Sequence, residues 1–164
     1  MEATVIAFGK LKTPGLRAAA DYYKKILKTW IPLEEVELKP QTVLDKSPAN
    51  RLRIQGKEAE QLEEKLASKL SARGAYYLLD ESGRSLSTQA WAQLVRDLEN
   101  QSIPEVAFCI GSSLGFSEST RKKARGVLSL GPQTLSHDLA RVVLFEQIYR
   151  AWSVTRGHPY HNEG

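Results

Sequence analysis

The chain of 164 residues holds a single cysteine, Cys109. No intramolecular disulfide can therefore form, which fits a reducing compartment. Cys109 sits within the apolar run Val106-Ala107-Phe108-Cys109-Ile110 and reads as a small buried hydrophobe, not a nucleophile. No Cys/His spacing resembles a zinc site, so no metal is expected. Long apolar runs are missing too. Nothing approaches the ~20 residues that span a bilayer, and Met1-Glu2-Ala3-Thr4 lacks the basic-then-apolar pattern of a signal peptide. The expectation is a cytoplasmic protein with no membrane partner. Repeats and low-complexity segments are also absent. What is present is ordinary for a folded domain: 41% hydrophobic and 26% charged residues, enough for one domain over 1–164 with a substantial core. The net charge of +4 makes nucleic acid a natural partner, because Lys and Arg that contact phosphates release counterions. The excess is modest and does not decide the matter alone.

Apolar patterning alternates between two periods along the chain. Val5–Phe8 is a short buried strand closed by Gly9. A helix opens near Pro14, with Leu16, Ala19, Ala20, Tyr23 and Leu27 on one face. Leu33–Leu38 is a second strand. Lys39–Asn50, with Pro40, Asp45, Ser47 and Pro48, reads as a loop within the domain. Leu62, Leu66 and Leu70 mark an amphipathic helix. Ala75–Leu79 is a third strand, ended by Asp80-Glu81-Ser82-Gly83. Ser87 caps a helix carrying Trp91, Leu94, Val95 and Leu98. Val106–Ile110 is a fourth strand, a short helix spans Ser117 to Ala124, and Val127–Leu130 is a fifth strand. A long helix then runs from Ser136 to Arg156. This rhythm predicts an α/β fold with a mostly parallel sheet and helices on both faces. Ligands of such sheets bind beyond the carboxyl ends of the strands, so the loops after Leu79, Ile110 and Leu130 are the places to search.

Each loop has a bland reading beside a functional one. Leu79–Arg84 is a charged turn, or it offers Leu79 to a flat ligand. In Gly111-Ser112-Ser113-Leu114-Gly115-Phe116, glycine lets a ligand approach the backbone, whose N–H groups suit anions; the segment is neither a Walker nor a dinucleotide motif. Leu130-Gly131-Pro132-Gln133-Thr134-Leu135 joins a strand to a helix and forms a cradle for a small molecule. His137 falls in the first turn of that helix, where a lone His is more often a structural hydrogen-bonder. Glu146 and Arg150 are spaced for an intrahelical ion pair. Arg141 or Arg150, should either face a pocket, suits a phosphate or carboxylate. Arg121-Lys122-Lys123-Ala124-Arg125 is the densest basic run, a solvated face first and an RNA contact second. From Ser117 onward, basic residues exceed acids (Glu118, Asp138, Glu146, Glu163) by three. The tail His158-Pro159-Tyr160-His161 carries groups that can stack on a base and hydrogen-bond it.

Leu128-Ser129-Leu130, Thr134-Leu135-Ser136-His137, the run Arg141 to Ala151, the tail His158–His161 and the opening Ile6–Lys12 resemble the ribosomal RNA large subunit methyltransferase H family over nearly the whole chain. The resemblance implies a SPOUT fold with a C-terminal trefoil knot, and a homodimer in which one protomer's tail completes the other's site. It implies methyl transfer from S-adenosylmethionine to N3 of a pseudouridine in a 23S rRNA hairpin of the ribosome. By the same resemblance, Leu79, Gly111 and Leu130 to Leu135 line the cofactor, including Gly131, Pro132, Gln133 and Thr134. His137, Arg141, Arg150, Tyr160 and His161 fall on the substrate side. Three positions depart from the family's pattern: Ser112 where a second glycine is usual, Ser136 where proline is usual, and Asn162 where a basic residue is usual. They motivate a rival, a non-catalytic RNA-binding dimer of the same fold. A further alternative is a methyltransferase acting on another RNA, such as a tRNA.

Overall fold

Strands and helices alternate along residues 1–162, the part of the chain that the computed structural model describes. In chain order they are β1 (Glu2–Phe8), α1 (Pro14–Leu27), β2 (Leu33–Leu38), α2 (Pro48–Lys69), β3 (Ala75–Ser85), α3 (Thr88–Asn100), β4 (Glu105–Ile110), α4 (Glu118–Lys123), β5 (Gly126–Ser129) and α5 (His137–Thr155). Glu163, counted in the charge tally, lies outside the described residues.

Serines start four of the helices. The Oγ of Ser47, Ser87, Ser117 and Ser136 accepts the N–H of Asn50, Ala90, Thr120 and Leu139 respectively, which satisfies a donor that the first turn leaves open. Pro14 and Pro48 stand at the first helical position, where a missing N–H costs nothing. Because Ser47 and Pro48 begin α2, the loop after β2 ends earlier than Asn50.

The sheet runs β2-β1-β4-β3-β5, and every pair is parallel. Parallel neighbours need crossover connections, and those are right-handed. The chain steps one way across the sheet through α1 and α3 and the other way through α2 and α4, so the two sets cover opposite faces. The core divides accordingly. Val5, Ala7, Val106, Phe108 and Ile110 pack with α1, α3 and α5. Their sequence neighbours Ile6, Phe8, Ala107 and Cys109 pack with Leu62 and Leu66 of α2. Strands covered on both sides lack polar alternation, which is why they read as short apolar runs. The helix α2 is long because it travels from β2, at one edge, past β1 and β4 to β3.

One strand departs from the expected pattern. β3 does not stop at Leu79. Leu79 and Arg84 both pair with Leu128, and Asp80–Gly83 are pushed out between them. The Asp80 carboxylate accepts the N–H and hydroxyl of Ser82, an Asx-type turn that turns the chain out and back. β3 then rejoins β5 through Arg84 and Ser85. β5 itself ends at Ser129, so Leu130 belongs to the loop.

Candidate active site

Beyond the carboxyl ends of β3, β4 and β5 lies a cavity of about 410 Å³, within the range of small-molecule sites. Leu79, Gly111, Leu130, Gly131, Gln133, Thr134, Leu135 and His137 all line it. Pro132 sits between its neighbours in that loop and is exposed. Leu79, Ile110, Leu114, Phe116, Leu130 and Leu135 give apolar walls, while Asp80, Glu81, Arg121, Arg51, Gln55 and His137 add polar groups.

The loops are fixed to one another. Thr134 Oγ1 donates to Glu81 Oε2 at 2.6 Å, joining the excursion of β3 to the Gly131–Leu135 segment. Ser129 Oγ accepts the Gly131 N–H at 3.1 Å and donates to the Gly131 carbonyl at 2.7 Å. Gly131 has φ 138°, a backbone shape that glycine alone adopts without strain. The N–H groups of Gln133, Thr134 and Leu135 donate to no acceptor among the described residues, which leaves them free for a ligand. At Gly111 a Cβ would stand 3.2 Å from the Phe116 ring, so this glycine lets Phe116 close the floor of the cavity.

Arg121 donates to Asp80 at 2.7 Å. Burial opposes ionisation of Asp80, but the Ser82 hydrogen bonds and the Arg121 guanidinium outweigh it and hold the carboxyl below the usual range. The remaining wall comes from α2, which sequence reasoning did not connect with the site. Gln55 Nε2 donates to the Leu114 carbonyl at 2.7 Å. Glu58 is 4% exposed. Its carboxylate accepts Ser112 Oγ at 2.6 Å and the Gln41 N–H at 3.0 Å, so one buried acid holds both the β4–α4 loop and the start of the 39–47 segment. Glu58→Ala strands both donors and is expected to destabilise the chain by about 1–3 kcal/mol. Hydrogen exchange at the Gln41 amide should accelerate; unchanged exchange would show that other contacts hold the segment.

The other expected residues lie elsewhere in the protomer. Arg150, Tyr160 and His161 cluster at the far end of α5. Arg150 Nη1 donates to His161 Nδ1 at 3.2 Å, its guanidinium lies 4.8 Å from the centre of the Tyr160 ring, and it pairs with Glu146 as the spacing implied. That carboxylate also accepts the Tyr160 hydroxyl at 3.2 Å. Tyr160 meets Tyr149 edge-on, and Tyr149 stacks on Trp30. Asn162 is exposed.

Arg141 is 1% exposed and is not among the residues that line this cavity. Its guanidinium donates to Glu35 at 3.0 Å and to the Gly9 carbonyl at 2.8 Å, and it lies 3.2 Å from Glu37. Within the protomer, then, the Nη1 and Nη2 groups of Arg141 are turned to acceptors of β2 and the β1–α1 turn and not to the cavity. The basic run of α4 is also largely neutralised, with Arg121 on Asp80, Lys122 near Glu118 and Lys123 on Glu63.

A parallel α/β sheet with a lined cavity beyond its strand ends is a frame for binding a small ligand, and the comparisons with known proteins define the class. A family model described as "Predicted SPOUT methyltransferase" matches residues 1–161. The chain belongs to the SPOUT methyltransferases, and within them to the ribosomal RNA large subunit methyltransferase H family. A protein of that name from Desulfovibrio desulfuricans is 37% identical over 157 residues, covering 96% of this chain and 95% of its own. Another, from Flavobacterium johnsoniae, is 35% identical over 163 residues, covering 99% and 100%. Among solved structures, a probable methyltransferase from Bordetella pertussis Tohama I shares the fold with a TM-score of 0.53 at 16% identity, covering 92% of this chain and 95% of that one.

Proposed function

We propose that this chain transfers the methyl group of S-adenosylmethionine to N3 of a pseudouridine in a 23S rRNA hairpin of the assembled ribosome, acting as a homodimer in the cytoplasm. The observation that carries this reading is the single cavity in which the loops after β3, β4 and β5 meet His137.

The residues present fit the cofactor. Leu79, Ile110, Leu130 and Leu135 offer apolar faces to its adenine. The unpartnered N–H groups of Gln133, Thr134 and Leu135 offer donors to its polar edges. Bound there, S-adenosylmethionine supplies an electrophilic methyl group. The protein's own contribution is position and electrostatics. The imide N3–H of the base must lose its proton, and His137, half-buried in the cavity wall, is the group within the protomer suited to accept it. The Arg150–Tyr160–His161 cluster lies about 20 Å away along α5, at 1.5 Å per residue. It therefore serves the site of the other protomer: Tyr160 stacks on the base, and Arg150 and His161 face the ring carbonyl where negative charge develops.

The rival reading, an inactive RNA-binding dimer, loses support from two of the three departures. Ser112 is used by Glu58, and Ser136 caps α5, so neither residue marks a decayed site.

The test is incubation with labelled S-adenosylmethionine and ribosomes lacking the modification, followed by mapping of the label. Label at the pseudouridine of the subunit-interface hairpin is expected. Label on tRNA alone would establish the other-RNA alternative. Absence of both label and cofactor binding would leave the inactive dimer. In the active protein, His137→Ala should lower kcat by about 100-fold or more while cofactor affinity changes far less. An equal loss in both would make His137 a cofactor contact instead of a base.

A further inference from the structure

One group of cations without an ion-pair partner among the described residues lies away from the densest basic run of the sequence. Side chains of Lys10, Lys12, Lys39, Lys46 and Arg51 are exposed, and none of them has a hydrogen bond or ion pair among the described residues. Arg53 donates only to the Asn50 side chain. These six come from three separate segments, which the fold brings to one edge. Gly9 N–H donates to the Leu38 carbonyl at 2.8 Å, so the turn after β1 lies beside the turn after β2. Gln41 and Gln61 then tie the start of the 39–47 segment to α2. The acids here are largely engaged: Glu37 faces Arg17 and Arg141, Glu58 is buried, Asp138 accepts the N–H groups of Lys12 and Thr13 and the Thr13 hydroxyl, and Asp45 is held by the Ser47 N–H, with Arg53 near enough to favour its charge. Two leucines interrupt the cations, Leu44 at 82% exposure and Leu52 at 70%. Arg51 is both on this edge and in the cavity wall.

We propose that this edge, formed by the β1–α1 turn, the 39–47 segment and the first turns of α2, is a docking surface for the sugar-phosphate backbone of the RNA strand that leads into the cavity. The proposal rests on the reading of the protein as an RNA methyltransferase. Unpaired cations attract phosphates because they release condensed counterions when they bind, whereas cations already matched to carboxylates gain little. Exposed leucines between them suit the faces of unstacked bases, the form in which RNA is usually read. Continuity with the cavity through Arg51 gives the strand a direction. The α4 run, matched by Asp80, Glu118 and Glu63, has less to offer.

The test compares Lys46→Gln/Arg53→Gln with Lys122→Gln/Lys123→Gln in the full chain, using 70S ribosomes that lack the modification. Removal of two phosphate contacts should weaken ribosome binding, read as KM, by about 10–30-fold near ~0.15 M salt and flatten the plot of log affinity against log salt by about 1.4–1.8. The affinity for S-adenosylmethionine should not move in either pair, which also reports that both remain folded. The α4 pair should change ribosome affinity less. An unchanged KM and salt slope in the 46/53 pair would overturn the proposal, as would a larger loss in the α4 pair. A loss of affinity with no change in slope would point to an apolar protein contact and overturn the RNA assignment. If the unaltered chain neither bound nor methylated ribosomes, the functional reading itself would fail, a result distinct from all of these.

Discussion

Replacing Arg141 with Ala is expected to destabilise the protein by about 3–5 kcal/mol, the usual range for breaking a buried ion pair from one side. At this chain length that corresponds to a melting point lower by about 6–20 °C. Arg141 is among the largest fully buried side chains, so its truncation leaves a void as well as unmatched acceptors. Glu35 keeps Arg17 and Lys24, but Glu37 and the Gly9 carbonyl lose a donor. Burial disfavours the Glu35 carboxylate, yet hydrogen bonds from Arg17, Lys24 and Arg141 overcome this and hold its pKa below the usual glutamate value. A carboxyl depressed on folding stabilises the native state at higher pH, and that contribution is lost as pH falls through the depressed value. The melting point of the unaltered protein should therefore drop as pH falls below the ordinary glutamate range, and Arg141→Ala should show a shallower drop. Thermal melts from neutral to acid pH check both statements. A variant with an unchanged melting point and a collapsed kcat would return Arg141 to the substrate side.

Gly83→Ala should damage the proposed cofactor site although Gly83 is not among the residues that line the cavity. A Cβ at this position would stand 2.7–2.8 Å from backbone atoms of Leu128 and Val127, closer than real contacts allow. Backbone cannot rotate aside as a side chain does, so β5 must move away from β3. β5 is four residues long and leads directly into Leu130, and the cavity loop moves with it. The expected result is a loss of about 1–3 kcal/mol in stability from overpacking. It should be joined by at least a tenfold weaker affinity for S-adenosylmethionine, equivalent to about 1.4 kcal/mol, measured by titration calorimetry. Gly56 provides the contrast. It lies in α2, where a Cβ meets nothing, and Gly56→Ala should raise stability by about 0.4–1 kcal/mol through the unfolded chain. Normal cofactor affinity in Gly83→Ala would mean that β5 and its loop can shift independently.

Local signals account well for some elements and poorly for others. Serine caps, proline at the first helical turn and short apolar runs are chemistry read within a few residues. They located most helices and strands and directed attention to the loops that line the cavity. Asp80-Glu81-Ser82-Gly83 misled because a turn looks the same whether the strand ends there or resumes. Whether it resumes depends on Leu128 and Ser129 (in a strand far along the chain). Arg141 is the same case: its partner Glu35 is 106 positions away, and nothing adjacent to Arg141 foretells a buried pairing. Arg121 and Lys123 are quenched by Asp80 and Glu63, 41 and 60 positions away. A run of basic letters therefore overstated the free charge of α4. Conversely, Lys10, Lys39 and Arg53 are scattered in sequence, and only the order of the strands makes them neighbours. The role of α2 in the cavity wall was invisible for the same reason.

The last helix has a geometric consequence that reaches beyond a single molecule. α5 is packed between α1 and α3 and cannot bend to bring its two ends together. It works as a ruler that holds His137 and Arg150 apart by about 20 Å, so in the proposed reading a protomer alone carries two half-sites and no whole one. In the proposed dimer each whole site borrows from both copies. Lesions in the cavity and lesions in the tail then belong to different complementation groups within one reading frame. A mixed pair, with one copy damaged at each end, still assembles one intact site from its two undamaged halves.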